Sequence, residues 1–153
     1  MNRPVSNWIA LAARGVLGLI FIYAAWMKLK DPWQLFAVAV DGYQLLPPRG
    51  VIVVARTLPW FELALGALLL GGVWLRVAAP AVTLLLLVFF GILLSSYLKG
   101  MEIDCGCFGP GEALGPSTLI REGALLAVSI TLTAIATKSA KGVAHAATKV
   151  RNS

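Results

Sequence analysis

The stretch from Val77 to Leu98, VAAPAVTLLLLVFFGILLSSYL, contains 22 residues and no charged side chain. An α-helix needs about 20 apolar residues to cross the hydrocarbon core of a bilayer. Backbone groups in lipid must be hydrogen-bonded within the helix or a closed barrel, and this stretch is too long for a barrel strand. It therefore predicts a transmembrane helix, and the chain is predicted to be an integral membrane protein.

Three more apolar stretches accompany this one along a chain of 153 residues. The four predicted spans are about 8–27, 57–75, 77–98 and 119–137. Hydrophobic residues make up 59% of the chain and charged residues only 13%, too few to cover the surface of a soluble domain. The predicted fold class is therefore all-α, an integral membrane four-helix bundle over residues 1–138 that is followed by a basic cytoplasmic tail over residues 139–153.

The connections between the spans carry their own signals. In the first, residues 29–56, Asp31-Pro32 predicts the start of a short helix, and the prolines at 47 and 48 predict its end. One face of that helix combines Trp33, Phe36, Ala37 and Val40 at helical spacing. We expect this helix to lie at the membrane interface. Residues 100–115 hold five of the chain's 15 glycines and predict a loop, after which Pro116 opens the fourth span.

Lysine and arginine residues predict the orientation of the bundle. With four spans, both termini and the second connection share one side, which carries six of these residues against four on the other side. The positive-inside rule then places both termini in the cytoplasm and the glycine-rich loop in the periplasm of a bacterial inner membrane. No small-residue cleavage site follows the first apolar stretch, so it is predicted to be a retained span and not a removed signal peptide.

The net charge of +6 does not predict a nucleic-acid partner. Four of the basic residues lie in the C-terminal tail, and none belongs to a dense basic run: Lys138, Lys141, Lys149 and Arg151. A basic cytoplasmic flank is typical of membrane proteins. Lipids, and not nucleic acid, are the expected surroundings.

Cys105-Gly106-Cys107, in the glycine-rich loop, contains the only two cysteines. Glycine tolerates the backbone angles that let two sulfurs so close in sequence meet. The resulting ring is expected to be strained and exposed, hence labile, while it closes almost no loop entropy. In the periplasm this asymmetry favours a redox-active disulfide with catalytic Cys105 and Cys107 over a structural bond. A two-thiolate metal carrier stays an alternative, although two cysteines supply no four-ligand zinc site and no bound metal is expected.

Charged neighbours have opposing effects on the ionisation of these two thiols. Glu102 and Asp104 adjoin it and disfavour a thiolate, whereas Lys99 and Arg121 oppose that effect if they fold over the loop.

Charged residues inside the spans form the second candidate site. Charges at membrane depth usually face the bundle interior, where they serve a function or form a structural ion pair. Glu62 is expected about 8 Å below the outer end of the second span, where Arg121 is a nearer partner than Arg14. One interpretation is a polar pocket beneath the cysteine loop, with Trp60 at its wall, that holds a quinone head group or relays protons. The other is an ion pair that only fixes helix packing, with Trp60 in the aromatic belt of the membrane.

Small residues in the first two spans, including Gly15, Gly18 and Gly66, predict close contact between these helices.

Several short strings of residues carry a resemblance to a known family. They are Arg14-Gly15, Leu17-Gly18, Phe21, Ala24-Ala25, Lys28-Leu29, Asp31-Pro32, Phe36, Tyr43, Leu45-Leu46-Pro47, Leu58-Pro59, Glu62-Leu63, Gly66 and Asp104-Cys105-Gly106-Cys107-Phe108-Gly109. Over about residues 10–125 the chain resembles the MauE branch of the DoxX-like membrane proteins.

The resemblance implies a four-helix inner-membrane protein of periplasmic thiol–disulfide handling, including maturation of the disulfide-rich small subunit of methylamine dehydrogenase. By the same resemblance Cys105 and Cys107 are the redox pair, and Arg14, Lys28 and Glu62 are polar family positions. Because no thioredoxin domain is fused to these spans, a separate thioredoxin-like partner is implied.

The sequence therefore favours an inner-membrane thiol–disulfide oxidoreductase that exchanges with a periplasmic thioredoxin-like protein or a disulfide-containing client. A membrane quinone is the candidate electron carrier, and Glu62, Arg121, Arg14, Trp60 and Lys28 are the candidate cofactor-binding residues. The alternatives are a non-enzymatic membrane assembly factor and the thiolate-based metal carrier.

Overall fold

In the computed structural model of the chain, the described residues form five α-helices and no sheet. The structure describes residues 3–101, 103–106 and 113–151, with side chains for 7–101, 103–106 and 113–138. The helices are α1 (Arg3–Lys30), α2 (Trp33–Gly42), α3 (Pro48–Gly71), α4 (Leu75–Leu98) and α5 (Pro116–Arg151). The all-α fold class is confirmed.

Four of these helices are long and apolar enough to cross a membrane, which confirms the predicted number of spans. The apolar segments are 7–30, 48–71, 75–98 and 116–138. Pro116 opens the last helix as predicted. The protein is a multi-pass membrane protein.

The predicted limits of the second span, 57–75, are wrong. The helix α3 begins at Pro48, because a proline in the first turn has no hydrogen-bonding role to lose there. It ends at Gly71, and Gly72 follows in the left-handed conformation with φ of 68°, a common helix C-terminus. The two arginines of its first turns lower the hydropathy but do not interrupt the helix.

The helices α1 and α3 pack against each other through glycines. A Cβ atom added at Gly66 would lie 2.9 Å from the carbonyl oxygen of Gly18, and one added at Gly18 would lie 2.7 Å from Leu70 Cγ. This contact confirms the role predicted for these two glycines. Gly15, in contrast, has no atom within 4 Å of such a Cβ and takes no part in the contact.

The second packed pair is α4 and α5. Between them, Thr83 Oγ1 and Thr133 Oγ1 form a hydrogen bond of 2.9 Å, a polar link between the two helices. The core between the two helix pairs is apolar, and Leu17, Leu69 and Val82 are fully buried there.

The short helix α2 begins directly after Asp31-Pro32, as predicted. Its inner face buries Phe36 and Ala39, while Val38 on the outer face is 71% exposed. The guanidinium of Arg56 in α3 lies 4.4 Å from the ring centroid of Trp33, a cation–π contact that attaches α2 to α3. Its location at the membrane interface stays a prediction.

Candidate functional site

The loop that contains Cys105 is attached to the end of α2. Tyr43, the residue after that helix, donates a hydrogen bond from its hydroxyl to the backbone oxygen of Cys105 at 2.7 Å. Cys105 is disulfide-bonded and only 1% exposed, against Tyr43 and Leu93. The second cysteine, Cys107, and the acidic neighbour Glu102 lie outside the described residues.

Gly106 brings the loop against the inner face of α2. Its φ of 68° favours glycine, and a Cβ added there would lie 3.1 Å from Ala39 Cβ and 3.5 Å from Phe36 Cε2. Nearby, the backbone N–H of Leu114 donates to the oxygen of Ile103 at 3.0 Å and ties the two ends of the loop together. The predicted exposure is therefore wrong for Cys105, because α2 covers this part of the loop.

The environment of Tyr43 keeps its hydroxyl protonated. Burial, together with the negative charges of Asp104 and Glu122, raises the pKa of Tyr43 to about 12. The side chain therefore remains a hydrogen-bond donor to Cys105 at any pH at which thiols exchange.

A charged pair lies deeper in the bundle. Lys28 Nζ contacts both carboxylate oxygens of Glu62, at 2.7 and 2.8 Å, and the two side chains are 2% and 12% exposed. The predicted pairing of Glu62 with Arg121 is wrong. Because α3 begins at Pro48, Glu62 lies fourteen residues into the helix, a depth of about 21 Å, where the last turn of α1 reaches it.

Phe36 lies between the charged pair and the cysteine loop. The ammonium of Lys28 is 5.2 Å from the centroid of the Phe36 ring, and the edge of the same ring faces Gly106. The ring is 5% exposed. One buried aromatic side chain thus touches both candidate sites.

Below this ring is a small cleft between the helix pairs. Its volume is about 40 Å³, and its polar lining comes from Lys28, Glu62 and Glu122 among apolar side chains. That volume suits about one water molecule, whereas pockets for cofactors measure about 300–1,000 Å³. A quinone head group does not fit this cleft as it stands.

The other predicted cofactor-binding residues lie elsewhere. Arg14 donates to the backbone oxygens of Leu69 and Leu70 at 3.0 and 3.3 Å and so caps the last turn of α3. Arg121 lies 3.7 Å from Glu122, at the start of α5, and Trp60 is 62% exposed on the outer surface of α3. The structure brings together only Lys28 and Glu62 of the five.

Three residues of the site were not assigned to it from the sequence: Tyr43, Phe36 and Glu122. Phe36 was placed on one apolar face of the short helix, and both Phe36 and Tyr43 were part of the family resemblance, but neither signal specified a contact with the cysteine loop. Among the side chains that the structure describes, no group of three or more His, Cys, Asp and Glu residues could hold a metal ion.

Comparisons with known proteins identify the family of the chain. The family described as "Methylamine utilisation protein MauE" matches residues 6–135. The methylamine utilization protein MauE of Paracoccus denitrificans is 35% identical over 142 residues, which cover 92% of this chain and 72% of the relative. Protein TlpB of Flavobacterium psychrophilum is 33% identical over 119 residues, 71% of this chain but only 32% of TlpB. No solved structure matches the chain significantly. The match over most of the length shows that the chain belongs to the MauE family.

Proposed function

We propose that this protein is an inner-membrane thiol–disulfide oxidoreductase that matures a periplasmic protein of methylamine utilisation. The observation that carries the proposal is the disulfide-bonded Cys105, held against α2 by Tyr43 at one end of a membrane bundle. A disulfide across one intervening residue contributes little as a structural link. Membership of the MauE family supports the biological setting.

The chemistry requires only the chain and a dithiol partner. A partner thiolate attacks one sulfur of the Cys105–Cys107 disulfide, and the other sulfur leaves with the electron pair. The second partner thiolate then attacks the mixed disulfide. The partner becomes oxidised to a disulfide, the protein is reduced to two thiols, and the two protons of the partner are transferred to it through water. The reverse sequence reduces a client.

The location of this exchange is part of the proposal. The excess of lysine and arginine on the side of the termini supports cytoplasmic termini and a periplasmic cysteine loop. A periplasmic thioredoxin-like protein, or a client with disulfides, is then the exchange partner.

Serine variants of the two cysteines test the oxidoreductase. Cys105→Ser and Cys107→Ser should each abolish growth of the host on methylamine while the protein still accumulates in the membrane on immunoblots. Ser117→Ala, at an exposed position near the same loop, is the control and should support normal growth. Normal growth of both cysteine variants would favour a non-enzymatic assembly factor instead.

The metal carrier predicts a different result. If the two thiolates carry a metal, the purified and reduced protein should bind copper or mercury at a stoichiometry near one. The oxidoreductase predicts instead that the reduced protein exchanges with an added disulfide compound and thereby loses its two free thiols.

A membrane quinone stays the predicted electron carrier that resets the pair, although the cleft beside Lys28 and Glu62 is too small to hold its head group. Alkylation of the two thiols in membranes, before and after addition of a quinone analogue, tests it. A thiol state that does not respond to the analogue would remove the quinone from the mechanism but leave the exchange reaction intact.

A further inference from the structure

One sulfur of the redox pair, that of Cys105, is enclosed by the fold. Cys105 is 1% exposed and packs with Tyr43 and Leu93, next to partly buried apolar side chains of α4 and α5. A thiol carried by a folded protein cannot reach a sulfur in such a position.

The contacts that enclose Cys105 do not depend on the disulfide. The hydroxyl of Tyr43 bonds to the backbone oxygen of Cys105 at 2.7 Å, and the backbone oxygen of Asp104 lies 3.5 Å away. Gly106 rests on Ala39 through its backbone. None of these contacts involves sulfur, so the opening of the disulfide does not itself break any of them.

We propose that Tyr43 is a positioning residue that keeps Cys105 buried as the leaving and returning sulfur of the exchange, so that partner thiols attack Cys107. This proposal rests on the proposed function. It assigns an order to the two cysteines and a role to a tyrosine outside the redox pair.

The order of bonds follows from the burial. The partner thiolate bonds to the sulfur of Cys107, the bond between Cys107 and Cys105 breaks, and Cys105 leaves with the electron pair. Held in place by Tyr43, Cys105 is then ready to attack the same sulfur again, which restores the ring and releases a partner that has no second thiol. A partner with a second thiol competes with this return and becomes oxidised.

Single-cysteine variants of the full chain in detergent test the order of attack. With a bulky maleimide as the probe, the proposal predicts that Cys107 in Cys105→Ser reacts at least about tenfold faster than Cys105 in Cys107→Ser, because the fold encloses Cys105. Equal rates would overturn the proposal.

Removal of the tyrosine hydroxyl tests the positioning role. In the Cys107→Ser background, Tyr43→Phe should raise the rate of modification of Cys105 by about three- to tenfold, the range expected from one hydrogen bond. Tyr97→Phe removes a hydroxyl from a half-exposed tyrosine and should leave that rate unchanged. An unchanged rate in Tyr43→Phe would overturn the role of Tyr43.

The thiol–disulfide equilibrium of the cysteine pair provides a second measurement, which a loss of protein stability alone does not change. With both cysteines present, Tyr43→Phe should shift the equilibrium with glutathione towards the dithiol by about three- to tenfold, because a less well-positioned Cys105 closes the ring less readily. An unshifted equilibrium counts against the positioning role. Gly106→Ala should change both quantities in the same direction as Tyr43→Phe, since its Cβ would press on Ala39, and it provides a second variant if Tyr43→Phe does not fold.

The two proposals fail in different ways. If both cysteines can be replaced without loss of growth on methylamine, the oxidoreductase is wrong whatever the alkylation rates. If growth requires both cysteines but the two sulfurs react equally fast, the exchange stands and only the assigned order falls.

Discussion

At the scale of single residues, the buried pair of Lys28 and Glu62 carries a large desolvation cost, because both charges are removed from water. Two charges removed from water are tolerated because the ammonium contacts both carboxylate oxygens. The removal of one partner leaves the other charge buried and uncompensated, whereas the replacement of both by apolar residues is often neutral for stability. The pair therefore allows its structural and functional roles to be separated.

Three variants make this separation. We expect Glu62→Gln and Lys28→Met each to lower the free energy of unfolding by about 3–5 kcal/mol, measured by thermal unfolding in detergent. The double variant Lys28→Met with Glu62→Met should recover most of that loss. If the pair only fixes packing, growth on methylamine should recover with stability; if it takes part in proton transfer, growth should stay lost in a stable protein.

The pKa of Tyr43 predicts a dependence of stability on pH. Its folded value of about 12 is above the ordinary value of 10.0, so the unfolded chain loses this proton first as the pH rises. The stabilisation is fully present below about pH 10 and is lost as the pH rises towards 12. Comparison of unfolding curves for the wild type and Tyr43→Phe over this range measures the effect, and parallel pH profiles for the two proteins would contradict it.

At the scale of helices, the contact of α1 with α3 depends on the absence of side chains at two glycines. We expect Gly66→Ala to destabilise the protein by about 1–3 kcal/mol, because its Cβ would meet the backbone oxygen of Gly18 and cannot push it aside easily. Gly15→Ala is the matched control in the same helix pair. It has free space and should be neutral or stabilising, since alanine is the better helix former. Thermal unfolding of the two variants in detergent provides the comparison.

The helices also show which part of the fold the sequence could predict. Apolar length gave the correct number of spans, because lipid imposes a minimum length on every crossing helix. It did not give the start of α3, since Arg49 and Arg56 lower the local hydropathy. The structure accommodates Arg56 on the ring of Trp33, a tertiary contact that no local pattern contains.

This error about one helix propagated to the candidate site. With α3 started nine residues too late, Glu62 was placed near the membrane surface and given Arg121 as its partner, while Lys28 fell just outside the predicted first span. The cysteine pair could be singled out from composition alone. The burial of Cys105 could not, because it depends on how a separate short helix packs over the loop.

At the scale of the whole molecule, the testable property is orientation. A membrane-impermeant maleimide applied to intact spheroplasts should modify Cys107 of the Cys105→Ser variant. A reporter protein that is active only in the cytoplasm should be active when it is fused to the C-terminus. A lysine-rich C-terminus on the periplasmic side would reverse the bundle and exclude exchange with periplasmic partners.

Two charged side chains of α1 hold α3 at levels about 21 Å apart along the helix axis, Arg14 at the last carbonyls of α3 and Lys28 at Glu62. Sliding or rotation of one helix against the other would break the contacts of Arg14 or of Lys28 with α3. We therefore expect the α1–α3 pair to move as one body. A widening of the cleft to admit a guest molecule is then expected to move α4 and α5 away from that pair, along the boundary between the two helix pairs.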